Sequence, residues 1–355
     1  MSTGMLLRKA LANERPLVLP GVFHPVAAMA APPIGAAATP AAERIEIPIK
    51  LVEQADHNLR FSIPITVGGA PVEAMLDTGS GGLRLLAGAV PDGAVAPTGR
   101  RSVATYGSGV RLIGEAARAS IGVGPATVEL PVEMTRKIEC VSEKPRCPAS
   151  KVEPERYRIG GDARRGEGFA AILGIGLRPA DTPNPLAHIG DGRWIVELPR
   201  PGSAAPGRLV LNPTEAEQKG FILYQLPAAA RRDAVGGPAW RDNQVPACVL
   251  NLDAGTSECA PAMLDTGALG FRFARREDPK PAWPAGVRAA IAFKLDGDRQ
   301  IEDRFTTNSR PGTRVRYARP TTDDFAEGLN AGFYPYFAFD VLYDAKSGQI
   351  GLRPR

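Results

Sequence analysis

Histidine is nearly missing from this sequence: His24, His57 and His188 are the only three, and they lie far apart along the chain. No G-x-S-x-G and no H-E-x-x-H stretch occurs. A serine hydrolase needs a histidine beside its nucleophile, and a zinc hydrolase needs clustered ligands, so both classes fail on inventory. The three histidines are left with exposed or structural roles. Aromatic residues make up only 6% of the chain, and the short basic clusters Arg100-Arg101, Arg164-Arg165 and Arg231-Arg232 have none between them. The net charge of +5 is therefore read as solvated loop charge, and nucleic acid is not an expected partner. No window holds 18 unbroken apolar residues, so no membrane span is expected. The four cysteines lack C-x-x-C spacing, which argues against a metal site. No nucleotide, metal or organic cofactor is implied.

What is present points to strands and turns. Glycine occurs 39 times and proline 34 times, while hydrophobic content is an ordinary 44% and charged content 23%. At 355 residues the chain exceeds one core and should form two domains or one bilobal unit. "ERIEIPIKL" alternates with the period of a strand, and "LRFSIPITV", the turn Gly68-Gly69-Ala70-Pro71 and "VEAMLDTG" follow as a hairpin. "RRSVATYGSGVRLIGEA" reads as a second hairpin bending at Tyr106-Gly107-Ser108-Gly109, and "ARASIGVGPATVELPVEM" as a third. "GFAAILGIGL" is a buried apolar run. "GRLVLNP", "VPACVLNL", "CAPAMLDTG", "GVRAAIAFKLDG" and "DVLYDAKSGQIGLRP" supply strands to the second half, and only "PTEAEQKG" and "TTDDFAEGL" look helical.

Residues 1–43 are expected to be leader and linker, disordered or cleaved; 44–222 a first lobe; 223–355 a second. Within the leader, Arg8, Lys9 and Arg15 precede "PLVLPGVFHPVAAMA", which ends on Ala28-Met29-Ala30 like a weak secretory signal. "LLRKALANERPLVLPGVF" is also similar to the opening of isocitrate lyase and phosphoenolpyruvate mutase chains, but nothing downstream continues such a barrel. The cysteines form two local pairs, Cys140 with Cys147 and Cys248 with Cys259. A hairpin turning at Asp253-Ala254 would set Cys248 opposite Cys259 within disulfide reach. Free buried thiols are the alternative. Two disulfides would place the protein in the periplasm or outside the cell, with the cytoplasm as the alternative if the thiols are free.

The hexapeptide "AMLDTG" occurs at 74–79 and again at 262–267. An accidental repeat of that length is expected on the order of once in a thousand such chains. A lone Asp-Thr-Gly is most simply a turn, with Asp capping and Gly at positive φ. Two copies, each after an apolar strand and one in each half, can instead meet at a pseudo-symmetry axis. Two carboxylates about 3 Å apart cannot both ionise, so one proton is shared and their pKa values split, which suits acid–base activation of a water.

On these loops the chain resembles the pepsin-like (A1-type, bilobal) aspartic protease family, as a bacterial-type member. "VGGAPVEAMLDTGSGGLRL" resembles the first active-site loop and "CAPAMLDTGALGFRF" the second. "SVATYGSGV" resembles the flap, "GFAAILGIGL" the segment crossing behind the first loop, and "GFYPYFAFDVLYDAKSGQIGLRP" the closing strands. The resemblance implies an all-β fold of two pseudo-symmetric barrel-like lobes with a cleft between them. It implies a monomeric endopeptidase acting on an extended peptide or protein. Asp77 and Asp265 would be the catalytic pair. Thr78 and Thr266 would bond across it, Gly79 and Gly267 would bring backbone N–H groups to the carboxylates, and Ser80 would donate to Asp77. Tyr106, Gly107 and Ser108 would form the flap that closes over substrate. The alternative is a pepsin-fold protein that binds peptides or a partner without cutting.

Three departures from the family pattern carry expectations of their own. Ala268 stands where two-lobed members usually have Ser or Thr, so Asp265 is expected to lack one donor and the activity optimum to lie at milder acid than that of gastric enzymes. Arg84 stands where the family often has Trp behind Tyr106. Asn330-Ala331-Gly332, the counterpart of Ile172-Leu173-Gly174, is less apolar than expected. Leu83, Leu112 and Phe271 are expected to line apolar pockets beside the cut.

Overall fold

The computed structural model describes residues 42–161, 166–277, 279–320 and 327–355. Strand β1 (Ile45–Glu53) buries Ile45, Ile47 and Ile49 and exposes the residues between them. It pairs antiparallel with β2 (Leu59–Val67), which turns through Gly68-Gly69 into β3 (Ala70–Asp77). Both turn glycines have positive φ, as a tight two-residue hairpin requires. Next come β4 (Gly81–Leu85), β5 (Ala96–Thr105), β6 (Val110–Val123) and β7 (Ala126–Cys140). The β5–β6 hairpin bends at residues 106–109 and the β6–β7 hairpin at Gly124-Pro125. The short β8 (Ala171–Ile175) is buried at every residue, because it lies between β3, parallel, and β4, antiparallel. Strands β9 (Arg193–Glu197), β10 (Gly207–Leu211) and β11 (Ile222–Gln225) complete this stretch.

The remaining strands are β12 (Val245–Asn251), β13 (Thr256–Met263), β14 (Phe271–Ala274), β15 (Arg288–Lys294), β16 (Gln300–Thr306), β17 (Val315–Ala318), β18 (Gly328–Asn330), β19 (Phe339–Asp344) and β20 (Gln349–Pro354). Among the described residues the strands form two sheets. The larger runs β11-β20-β19-β9-β10-β1-β2-β3-β8-β4-β7-β6-β5, and the smaller runs β16-β15-β12-β13-β18-β14-β17. The quartet β3-β8-β4-β7 recurs as β13-β18-β14-β17 with the same parallel and antiparallel senses. The internal repeat of the sequence is thus a repeat of topology. The last two strands return to the larger sheet, where Val341 pairs with Val196.

The helix expected in "PTEAEQKG" is the single turn α1 (Glu215–Gln218), closed by a reciprocal Thr214–Glu217 capping box. A second turn, α2 (Pro335–Ala338), follows β18. Of the stretch "TTDDFAEGL" expected to be helical, residues 321–326 lie outside the described residues and Gly328-Leu329 begin β18, and residues 1–41 of the expected leader also lie outside them. Both disulfides are formed, Cys140–Cys147 and Cys248–Cys259. The latter joins directly opposed residues of β12 and β13. One apolar core runs through both sheets. At the return of β19, Trp194 is fully buried and stacks on Tyr343, with ring centres 5.4 Å apart. Trp194→Ala should cost about 3–5 kcal/mol by leaving a large cavity at this junction, measurable by denaturant unfolding.

Candidate active site

The two Asp-Thr-Gly loops meet. Asp77 closes β3 in register with Gly174 of β8, and Asp265 follows β13, which is paired with β18. A Cβ on Gly174 would stand 2.7 Å from the carbonyl oxygen of Ser80, so only glycine lets β8 run this close behind the first loop. The threonines cross between the loops. Thr78 N–H donates to Thr266 Oγ1 at 3.0 Å, and Thr266 N–H donates to Thr78 Oγ1 at 2.9 Å. Their hydroxyls then donate onward, Thr78 to the Leu264 carbonyl at 3.0 Å and Thr266 to the Leu76 carbonyl at 2.8 Å. All four bonds are buried and link one loop to the other. Tyr336 adds a fifth, donating from its hydroxyl to Thr78 Oγ1 at 2.8 Å.

This lattice sets the carboxyl groups side by side. Gly79 N–H donates to Asp77 Oδ1 and Gly267 N–H to Asp265 Oδ1, each at 2.8 Å. A Cβ on Gly267 would lie 2.8 Å from Asp77 Oδ1 and 3.1 Å from Asp265 Oδ1, so the two inner oxygens converge beside that glycine. A Cβ on Gly79 would collide with the Asp265 carboxylate. Ser80 Oγ donates to Asp77 Oδ2 at 2.6 Å. The Asp77 carboxyl is pushed up to about 7, chiefly by burial and then by the charge of Asp265, against the pull of Ser80 and Gly79.

The expectation that Asp265 is short of a donor is corrected. Asn330 Nδ2 donates to Asp265 Oδ2 at 2.5 Å, on the oxygen equivalent to the one that Ser80 serves on Asp77. Asn330 is buried, its own Oδ1 is held by the Gly332 N–H at 2.9 Å, and its register opposite Met263 and Arg272 fixes its direction. Ala268 and Asn330, two separate oddities in the sequence, are one substitution of donor in space. Leu83, Leu112 and Phe271 are fully buried core residues rather than pocket walls. His57 is exposed beside Glu53 and His188 is bonded to Asp233, both away from the dyad, while His24 lies outside the described residues.

Tyr106 occupies the β5–β6 bend, with its ring against the cluster of Met75, Leu112 and Ile172. Arg84 does not support its hydroxyl: that oxygen is buried without a hydrogen-bond partner, while Arg84 donates to the Gly81 carbonyl at 2.8 Å beside Glu133. Gly107 at the tip is held from both sides, its carbonyl accepting from Lys144 Nζ at 2.7 Å and from Arg272 Nη1 at 3.0 Å. Ser108 Oγ accepts weakly from the Val110 N–H. Sequence reasoning missed Arg178 and Asp242: the guanidinium spans the Asp242 carboxylate and the Gly79 carbonyl, each at 2.6 Å, bracing the first loop. It also missed Arg272. A signal was available, because Arg84 and Arg272 each stand seven residues after an aspartate in the extended repeat AMLDTG-x-x-G-x-R.

No protein-family profile and no curated protein matches the sequence. Among solved structures, the aspartic proteinase from Irpex lacteus is similar, with a TM-score of 0.53 over 88% of this chain and 97% of that one, at 12% identity. The chain therefore has the bilobal pepsin-like fold.

Thr78→Val removes the acceptor of two buried donors and the partner of the Leu264 carbonyl. It should cost about 3 kcal/mol or more, whereas Thr78→Ser should retain most of the stability in the same unfolding assay.

Proposed function

We propose that the chain is an aspartic-type endopeptidase of the pepsin-like family. The observation that supports this most strongly is the convergence of two buried aspartates, one from each repeat, with the Asp77 proton affinity raised to about 7. In this reading a water sits between the inner oxygens. Asp77 carries the shared proton and polarises the peptide carbonyl, while Asp265 takes a proton from the water as it attacks. No covalent intermediate forms. The β5–β6 hairpin covers an extended peptide that bonds through its backbone. The two disulfides suit a periplasmic or secreted protein, working as a monomer.

Hydrolysis of denatured protein by the wild type, abolished in both Asp77→Asn and Asp265→Asn, is the expected result. Peptide binding by the wild type without cleavage at any pH from 3 to 7 would favour the non-cutting binder instead. The active dyad holds one proton. With Asp77 near 7, that proton is kept through mild acid and lost as pH rises through about 7, so kcat should fall there. A profile peaking near pH 2 contradicts this.

Asn330 acts in this scheme as a positioning residue. Asn330→Leu should lower kcat by about tenfold and leave KM little changed. Adding Ala268→Ser should restore part of the loss by supplying a hydroxyl where Ser80 stands in the other loop. Equal kcat for wild type and Asn330→Leu, or a loss seen only in KM, would count against the role.

A further inference from the structure

The tip of the β5–β6 hairpin carries an unusual charge arrangement. Lys144 Nζ and Arg272 Nη1 both donate to the one neutral carbonyl of Gly107. Two cations sharing one uncharged acceptor repel each other, and neither has a carboxylate hydrogen-bonded to it among the described residues. The contrast within the protein is clear: Arg136, Arg208 and Arg353 each hold a glutamate or aspartate at 2.9 Å or less.

Both cations are fixed by covalent or sheet structure. Lys144 sits inside the loop closed by Cys140–Cys147. That loop is tied to the hairpin by the Val141 N–H on the Gly109 carbonyl at 2.8 Å, and inside it the Lys144 N–H bonds the Val141 carbonyl at 3.0 Å. Arg272 projects from β14, held between β17 and β18. Its guanidinium lies against the Cα side of Gly107, where a Cβ would come within 2.6 Å, and it feels the charge of Asp265. Arg272 thus links the hairpin tip to the neighbourhood of Asp265, and Lys144 meets it at the Gly107 carbonyl. The Lys144 ammonium is lowered to about 8 by burial and by the charges of Arg272 and Arg316, so in mild acid both groups are charged.

We propose that Lys144 and Arg272 form a carboxylate-binding subsite at the hairpin tip, which takes a carboxylate of the peptide substrate close to the bond being cut. A carboxylate offers one oxygen to each cation, neutralises their repulsion and replaces the Gly107 carbonyl as acceptor. The carboxylate comes from a Glu or Asp side chain or from the chain terminus. The subsite replaces the apolar preference expected from Leu83, Leu112 and Phe271, which are buried. It rests on the endopeptidase reading.

The test uses internally quenched peptides at pH 6, where glutamate is ionised, carrying Glu, Gln or Lys at each of three positions on either side of the scissile bond. Each is made with a free and an amidated C-terminus. The wild type should cleave the Glu peptide about tenfold faster than the Gln peptide at one position, or the free-ended peptide about tenfold faster than its amide. The first result assigns the side chain and the second the terminus. In Lys144→Met and in Arg272→Met the ratio should fall towards one, and in Arg272→Glu the Lys peptide should become the favoured one. Equal rates for Glu and Gln and for free and amidated peptides overturn the subsite, as does a preference that survives both substitutions. If the wild type cuts none of the peptides, the endopeptidase reading fails by itself. Fluorescence polarisation of the same labelled Glu and Gln peptides on the intact protein then decides the subsite, tighter Glu binding supporting it and equal binding overturning it.

Discussion

The structure turns on two threonine side chains that exchange places. Each accepts the other's backbone N–H and donates to a carbonyl of the other's loop, and no solvent reaches the four bonds. Breaking any of them strands a buried donor or acceptor, so the loops are held together more firmly than four isolated surface bonds would hold them. Once the loops are locked, the aspartates one residue earlier have nowhere to go but towards each other. Their closeness is a consequence of backbone hydrogen bonding, imposed against the repulsion that two buried carboxylates exert.

That repulsion is relieved one oxygen at a time. Glycine N–H groups serve the inner oxygens, and a side-chain donor serves each outer one. Ser80 fills the latter role in the first loop through a neighbour in sequence, while Asn330 fills it in the second from a strand 65 residues away. Equal donor sets reached by unequal routes show what is constrained: the number of hydrogen bonds on each carboxylate, rather than the residue type after the glycine. The surroundings of the pair carry the asymmetry. On one side Arg84 is buried beside Glu133, and on the other the equivalent Arg272 reaches out to the hairpin.

The doubled AMLDTG, the alternating isoleucines of β1 and the Gly68-Gly69 turn carried most of the fold in local pattern, because strand period and turn chemistry are local properties. The paired loops and the opposition of Cys248 to Cys259 were legible for the same reason. The donor to Asp265 was not: Asn330 was visible as an oddity, but a parallel register across 67 residues is needed to aim it. The local sequence shows the absent hydroxyl of Ala268 without the amide that replaces it. The repeat marks Arg272 but not its meeting with Lys144, which takes place on a backbone carbonyl that no sequence pattern records. The pocket assignment of Leu83, Leu112 and Phe271 failed because apolar residues beside a site go to the core first.

A pair of aspartates held by crossed threonines so tightly that one proton serves both is the central claim. Carbon-13 NMR of the protein with labelled aspartate carboxyls, titrated from pH 3 to 9, measures it directly. One carboxyl should remain protonated until about pH 7, and that transition should move down in Asp265→Asn, where the neighbouring charge is gone. If every aspartate has ionised by about pH 5, within the ordinary range near 3.9, the two groups do not share a proton and the account is wrong.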